Sequence, residues 1–257
     1  PQPSPQPPGS GRLGRNHRYG AFGNAATAAA LGFLGHFIAP WTIFLIAGGL
    51  CLPATVALSH IRAQDIDFAR ARSARNRQKP HEAAPIRELA KHPVLLIFIG
   101  SLVLFQLANA SLTPLASERV GQQQQEISVL FTAAMVVVPE LVTALLAAWV
   151  ARRAQDWGRK PLLLLGFGAL PLRAVLFVLA PGPALVVAAQ ATGGLTSAII
   201  GIMTPLVISD VMRGSGRYNL AQGFAGTAQG IGGAITNVGV GFLDALRRAR
   251  KALREVV

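Results

Sequence analysis

Residues 127–180 read ISVLFTAAMVVVPELVTALLAAWV, then ARRAQDWGRKP, then LLLLGFGALPLRAVLFVLA. Two apolar runs flank a short polar turn that carries Arg152, Arg153, Arg159 and Lys160 against a single acid, Asp156. A bilayer's hydrocarbon core is about 30 Å thick and an α-helix rises about 1.5 Å per residue, so about 20 apolar residues are needed per crossing. Each run is long enough. The stretch therefore predicts two membrane-spanning helices joined by a basic turn, and with them an all-α fold whose solvent is lipid.

Outward from this hairpin the pattern repeats. Apolar stretches at residues 20–39, 41–59, 93–116, 127–150, 161–180, 183–209 and 220–243 predict a multi-pass bundle of seven transmembrane helices. Composition agrees: the chain is 51% hydrophobic and 14% charged, whereas about a quarter of a soluble domain's residues are charged. The formal charge of +13 does not point to nucleic acid. A nucleic-acid binder gathers Lys and Arg on one face among stacking aromatics, and here the bases lie between apolar spans.

Those bases also orient the chain, because Lys and Arg of short loops stay on the cytoplasmic side. Arg12, Arg15 and Arg18 precede the first span, and the turn at Pro40 is uncharged. Residues 60–92, a predicted cytoplasmic central loop, carry Arg62, Arg70, Arg72, Arg75, Arg77, Lys79, Arg87 and Lys91. The next connection has only Arg119; then come the basic turn already quoted, an uncharged turn at residues 181–183, and Arg213 with Arg217. The alternation divides the chain into a disordered Pro-rich N-terminus and cytoplasmic loop (1–19), two spans (20–59), the central loop (60–92), five spans (93–243) and a basic tail (244–257). The tail breaks the alternation with Arg247, Arg248, Arg250, Lys251 and Arg254. It is expected either to replace a lost final span or to lie as an amphipathic helix on a membrane surface.

Other chemistries find little support. A lone cysteine, Cys51, leaves no internal disulfide and no CxxC motif. No phosphate-binding G-x-x-x-x-G-K-[ST] loop, H-E-x-x-H pair or G-x-S-x-G elbow is present. No enzyme activity, metal or cofactor is expected, and no secretory signal is readable at residues 1–10.

Two ionisable residues lie deep in spans, where a charge costs at least about 2.5 to 3.5 kcal/mol. Glu140, after Pro139, and Arg173 sit at matching depths, about 15 to 18 Å from the cytoplasmic side, on consecutive antiparallel helices. They are expected to form a buried pair, either as a fixed structural contact or with Glu140 exchanging a proton, the alternative being two side chains turned separately toward water and backbone without contact. In the last span, Gly226 and Gly230 have the GxxxG spacing that lets helix backbones approach closely.

The turn ARRAQDWGRKP resembles the signature loop of the major facilitator superfamily, G-x-x-x-D-R-x-G-R-R, with Gly158, Arg159 and Lys160 at its matching end. It departs at Ala151, Gln155 and Asp156, which stand where the pattern has Gly, Asp and Arg. The segment PLRAVLF (171–177), followed by Gln190, Gly194, Gly201, Pro205, Asp210 and GSGRYNLAQG (214–223), is similar to the ninth to eleventh helices of bacterial transporters of that superfamily. An internal echo adds to this: Gly14, Arg15, Asn16 and then Gly23, Asn24 parallel Gly216, Arg217, Tyr218 and then Gly226, Thr227.

The resemblance implies a partial major facilitator fold, built from two six-helix halves related as repeats. The seven spans become helices five to eleven, and helices one to four and twelve are missing from a truncated or fragmentary chain. It implies secondary active transport by alternating access in the inner (plasma) membrane, of a sugar or drug-like solute exported against protons. Gln106, Asn109, Gln190 and Thr196 would then line the substrate cavity, with interhelical hydrogen bonding as the alternative role. Asp156, Gly158, Arg159 and Lys160 would latch neighbouring helix ends, or act as simple topology signals. Two other functions stay open at this point. One is an inactive or partner-dependent fragment whose missing half comes from another chain. The other is the membrane subunit of an ATP-driven permease, docked through the central loop.

Overall fold

The computed structural model describes residues 10–39, 41–62, 64, 92–123, 128–215 and 217–256, and among these the architecture is all-helical. In chain order the helices are α1 (Ser10–Phe37), α2 (Thr42–Ser59), α3 (Pro93–Asn109), α4 (Leu112–Gln123), α5 (Ser128–Asp156), α6 (Arg159–Leu179), α7 (Pro183–Ala189), α8 (Ala191–Val211) and α9 (Tyr218–Val256). Helical structure follows from the solvent: in lipid every backbone polar group must be satisfied within its own segment. Five stretches are long and apolar enough to cross a membrane by length and composition: Thr42–Ser59, Pro93–Val120, Val129–Asp156, Arg159–Leu179 and Pro183–Val211. Helices α1 and α9, rich in glycine and alanine, are longer than a bilayer is thick but less apolar.

Three features depart from the expected spans. The stretch 93–116 is interrupted at Ala110 and Ser111, between α3 and α4, and the stretch 183–209 is interrupted at Gln190, between α7 and α8. Neither interruption contains proline or glycine. The tail is not a separate element either: α9 runs unbroken for 39 residues to Val256. At about 1.5 Å per residue it far exceeds the hydrocarbon thickness. The expected disorder of residues 1–9 and most of the central loop lie outside the described residues.

Packing centres on α8, whose Ala198, Ile199, Ile202, Met203 and Ile208 are completely buried. It lies between α5 and α6, while α1 runs along α5 and α9 lies against α3. Lipid tails are as apolar as leucine, so close backbone approach replaces the hydrophobic drive as the main cohesive term. The contacts show it. Gly14 of α1 lies so near Ala151 of α5 that an added Cβ would come within 2.6 Å of the alanine's Cβ, and Gly32 meets Ala133 one helix-length away. At the other end of the spectrum, no residue of α2 is buried; it touches α1 near its start, where Ile43 packs against Gly35, and most of its apolar surface is exposed.

In the basic turn, α5 passes into α6 at Gly158, whose φ of +81° is a left-handed conformation that residues with a Cβ avoid. Trp157 before it stacks under Arg153, with the guanidinium carbon 5.1 Å from the ring centroid.

Candidate functional site

Several polar residues of the C-terminal spans gather where helices are interrupted. Pro139 has no N–H, so within α5 the carbonyl of Met135 loses its helical donor. The Gln190 side chain, at the α7–α8 interruption, replaces that donor: its Nε2 donates to the Met135 carbonyl oxygen at 3.1 Å and to Thr113 Oγ1 at 2.9 Å. Thr113 stands just past the α3–α4 interruption, and Asn109 just before it. Three spans are thereby joined at one level.

Arg173 of α6 completes the cluster. Only 5% of its surface is exposed, and an Nη2–H donates to Asn109 Oδ1. Gly193, one turn into α8, makes room for the head group: a Cβ there would lie 2.5 Å from Arg173 Nη1 and 3.4 Å from Gln190 Oε1. Two buried polar atoms remain without a hydrogen-bond partner, Nε of Arg173 and Oε1 of Gln190. Among the described residues no carboxylate lies within ion-pair distance of Arg173.

This corrects the expected Glu140–Arg173 pair. Glu140 is half-buried and accepts a 3.3 Å hydrogen bond to Oε1 from Asn24 Nδ2 of α1, across the seam between α1 and α5. The two side chains share a depth but not a direction. Of the other sites foreseen, Asn109 and Gln190 meet at Arg173. Gln106 packs instead against Gly232 and Gly233 of α9. Buried Thr196 donates to carbonyls of Gly166 (3.3 Å) and Thr192 (3.1 Å), bracing α8 against α6.

The glycine pair is also displaced. Gly226 and Gly230 are exposed and nothing would meet a Cβ on either, because the buried stripe of α9 runs through Ala221, Ala225, Gly232 and Gly233. Close approach to α3 is made by Gly232, where a Cβ would come within 3.1 Å of the Val103 carbonyl, and by Thr236, which donates to the Leu107 carbonyl at 2.7 Å.

In the basic turn, Arg159 donates from Nε to Asp210 Oδ2 at 2.9 Å and from Nη1 to the Ala154 carbonyl at 2.7 Å, tying the ends of α5, α6 and α8 together. Asp210 also accepts from Arg213 at 3.0 Å. Among the described residues Asp156 pairs with Arg153, at 3.5 Å on its own helix, and Lys160 is exposed. Reading the sequence had not singled out Thr113, Met135 or Asp210 as working residues. For Met135 a signal existed, since a proline four residues on always frees a carbonyl.

The comparisons with known proteins agree with this architecture. The family model described as Major Facilitator Superfamily matches residues 10–237. Two curated proteins of Mycobacterium tuberculosis, from strains CDC 1551 and H37Rv, are each 32% identical over 234 residues, covering 90% of this chain and 56% of theirs. Both are named uncharacterized MFS-type transporters. The chain thus spans little more than half the length of these relatives, and no solved structure matches it. By the family match over most of its length and by these relatives, the chain belongs to the Major Facilitator Superfamily, a family of multi-pass membrane transporters.

Proposed function

We propose that the chain is part of a secondary active transporter of the plasma membrane, moving a small solute by alternating access and driven by protons through Glu140. The remaining spans of the transporter would come from a longer chain or from a partner. Transport of this kind rocks one repeat of helices against the other around a site near the midplane. The observation that carries the reading is the position of Glu140. It lies deep in a membrane helix beside a proline, and its hydrogen bond comes from a neutral amide on a different helix, not from a cation. An ionisable residue inside a membrane span is a functional-site candidate by default, and this one is partnered by a neutral amide on another helix. Because Asn24 belongs to α1, relative movement of α1 and α5 would change its environment, which is what coupling needs.

Glu140→Gln in membrane vesicles is the test, read as net transport under an imposed pH gradient and as exchange at equal pH. Loss of gradient-driven transport by at least about tenfold, with exchange retained, is expected of a coupling carboxylate. Unchanged gradient-driven transport would remove Glu140 from the mechanism.

A further inference from the structure

Resting on the transport reading, we propose that Arg173 binds the negatively charged group of the solute, and that the solute is a small monocarboxylic acid. A guanidinium buried in a membrane protein without an acid beside it carries an uncompensated charge, the costliest condition for such a group. Here its surroundings supply only neutral oxygens, the Asn109 amide and the nearby Gln190 amide. Its Nε–H is still vacant. A carboxylate is the planar group a guanidinium fork holds best. Arg173 is the buried cation among the described residues and balances one negative charge there, so a dianionic phosphate would leave a charge uncompensated in the same low-dielectric setting.

A pocket opens near the site, although Arg173 itself is not on its wall. Arg173 and Gln190 each lie about 10 Å along their helices from the uncharged turn at residues 181–183. Under that turn opens a pocket of about 260 Å³, mostly apolar, with Arg119 on its wall. Ala174 and Leu112, which also line it, are the immediate chain neighbours of Arg173 and Thr113. The volume is just below that of ordinary small-molecule sites, which suits a single-ring or short-chain acid with its apolar body in the pocket and its carboxylate toward Arg173.

The test is a thermal-shift titration of the purified chain in detergent, with benzoate as probe beside neutral benzamide of the same shape and inorganic phosphate. Benzoate is expected to raise Tm, and benzamide is not. Arg173→Gln is expected to weaken the benzoate response by at least about tenfold, and Arg119→Gln, on the pocket wall, by less. If Arg173→Gln does not fold, Gly193→Ala decides: it keeps the charge but pushes the guanidinium aside, and is expected to weaken benzoate in the same way. Equal shifts with benzoate and benzamide, a benzoate response untouched by the deciding variant, or a preference for phosphate would each overturn the proposal. Binding in detergent requires no transport. Arg173-dependent benzoate binding without benzoate flux in vesicles would therefore count against the transport reading alone, and flux of neutral solutes unaffected by Arg173→Gln against the acid site alone.

Discussion

At the scale of single residues, two adjacent glycines separate architecture from site. A Cβ on Gly194 would run into the Pro139 carbonyl and to within 2.6 Å of Val142 Cβ, and neither neighbour can rotate away. A Cβ on Gly193 meets the far end of an arginine, which can. Gly194→Ala is therefore expected to destabilise the chain by about 1 to 3 kcal/mol in denaturant unfolding from detergent. Gly193→Ala is expected to cost less than about 1 kcal/mol while displacing the guanidinium. Equal losses at both positions would contradict the packing described around Arg173. What the sequence offered at this scale was depth. Hydropathy and helical rise put Glu140 and Arg173 at one level, but which way each points depends on how α5 and α6 are rotated against α8 and α1. That rotation is set by contacts such as Gly194 on Pro139, which no single segment encodes. Hence the residues of the site were legible while their partners were not.

At the scale of elements, the helices were legible because lipid is a severe filter: the stretches 127–150 and 161–180 have few other ways to exist. The interruptions were hidden because Ala110, Ser111 and Gln190 are compatible with a continuous helix. Both are tied to other spans through Gln190, which reaches the carbonyl that Pro139 frees and the Thr113 hydroxyl just past Ser111. The seam between α9 and α3 was legible in kind and not in register. A stripe of small residues was apparent, yet the spacing of Gly226 and Gly230 drew attention to the face that α9 turns outward. Gly232→Leu should wedge its side chain against the Val103 carbonyl and destabilise the chain by about 1 to 3 kcal/mol. Gly226→Leu should stay within about 0.5 kcal/mol of the parent, or gain slightly from better helix propensity. Unfolding titrations in detergent compare the two directly, and the reverse ranking would place the seam on the other face. The Arg159–Asp210 bridge ties three helix ends but remains partly exposed, so its contribution to stability is about 1 kcal/mol or less.

At the scale of the whole molecule, the chain arranges its charge in two ways. We propose that arginines outside the apolar spans set its orientation, and that one arginine inside them, held beside amides at two helix interruptions, marks a site. Both depend on the helices crossing lipid with their basic turns in the cytoplasm, and that arrangement is directly measurable. With Cys51 replaced by serine, a single cysteine is placed at exposed Pro181 or at exposed Lys160, and intact cells are treated with a membrane-impermeant maleimide. Pro181→Cys should be labelled in intact cells and Lys160→Cys only after the cells are opened. Labelling of Lys160→Cys in intact cells, with Pro181→Cys protected, would contradict the orientation on which the account rests.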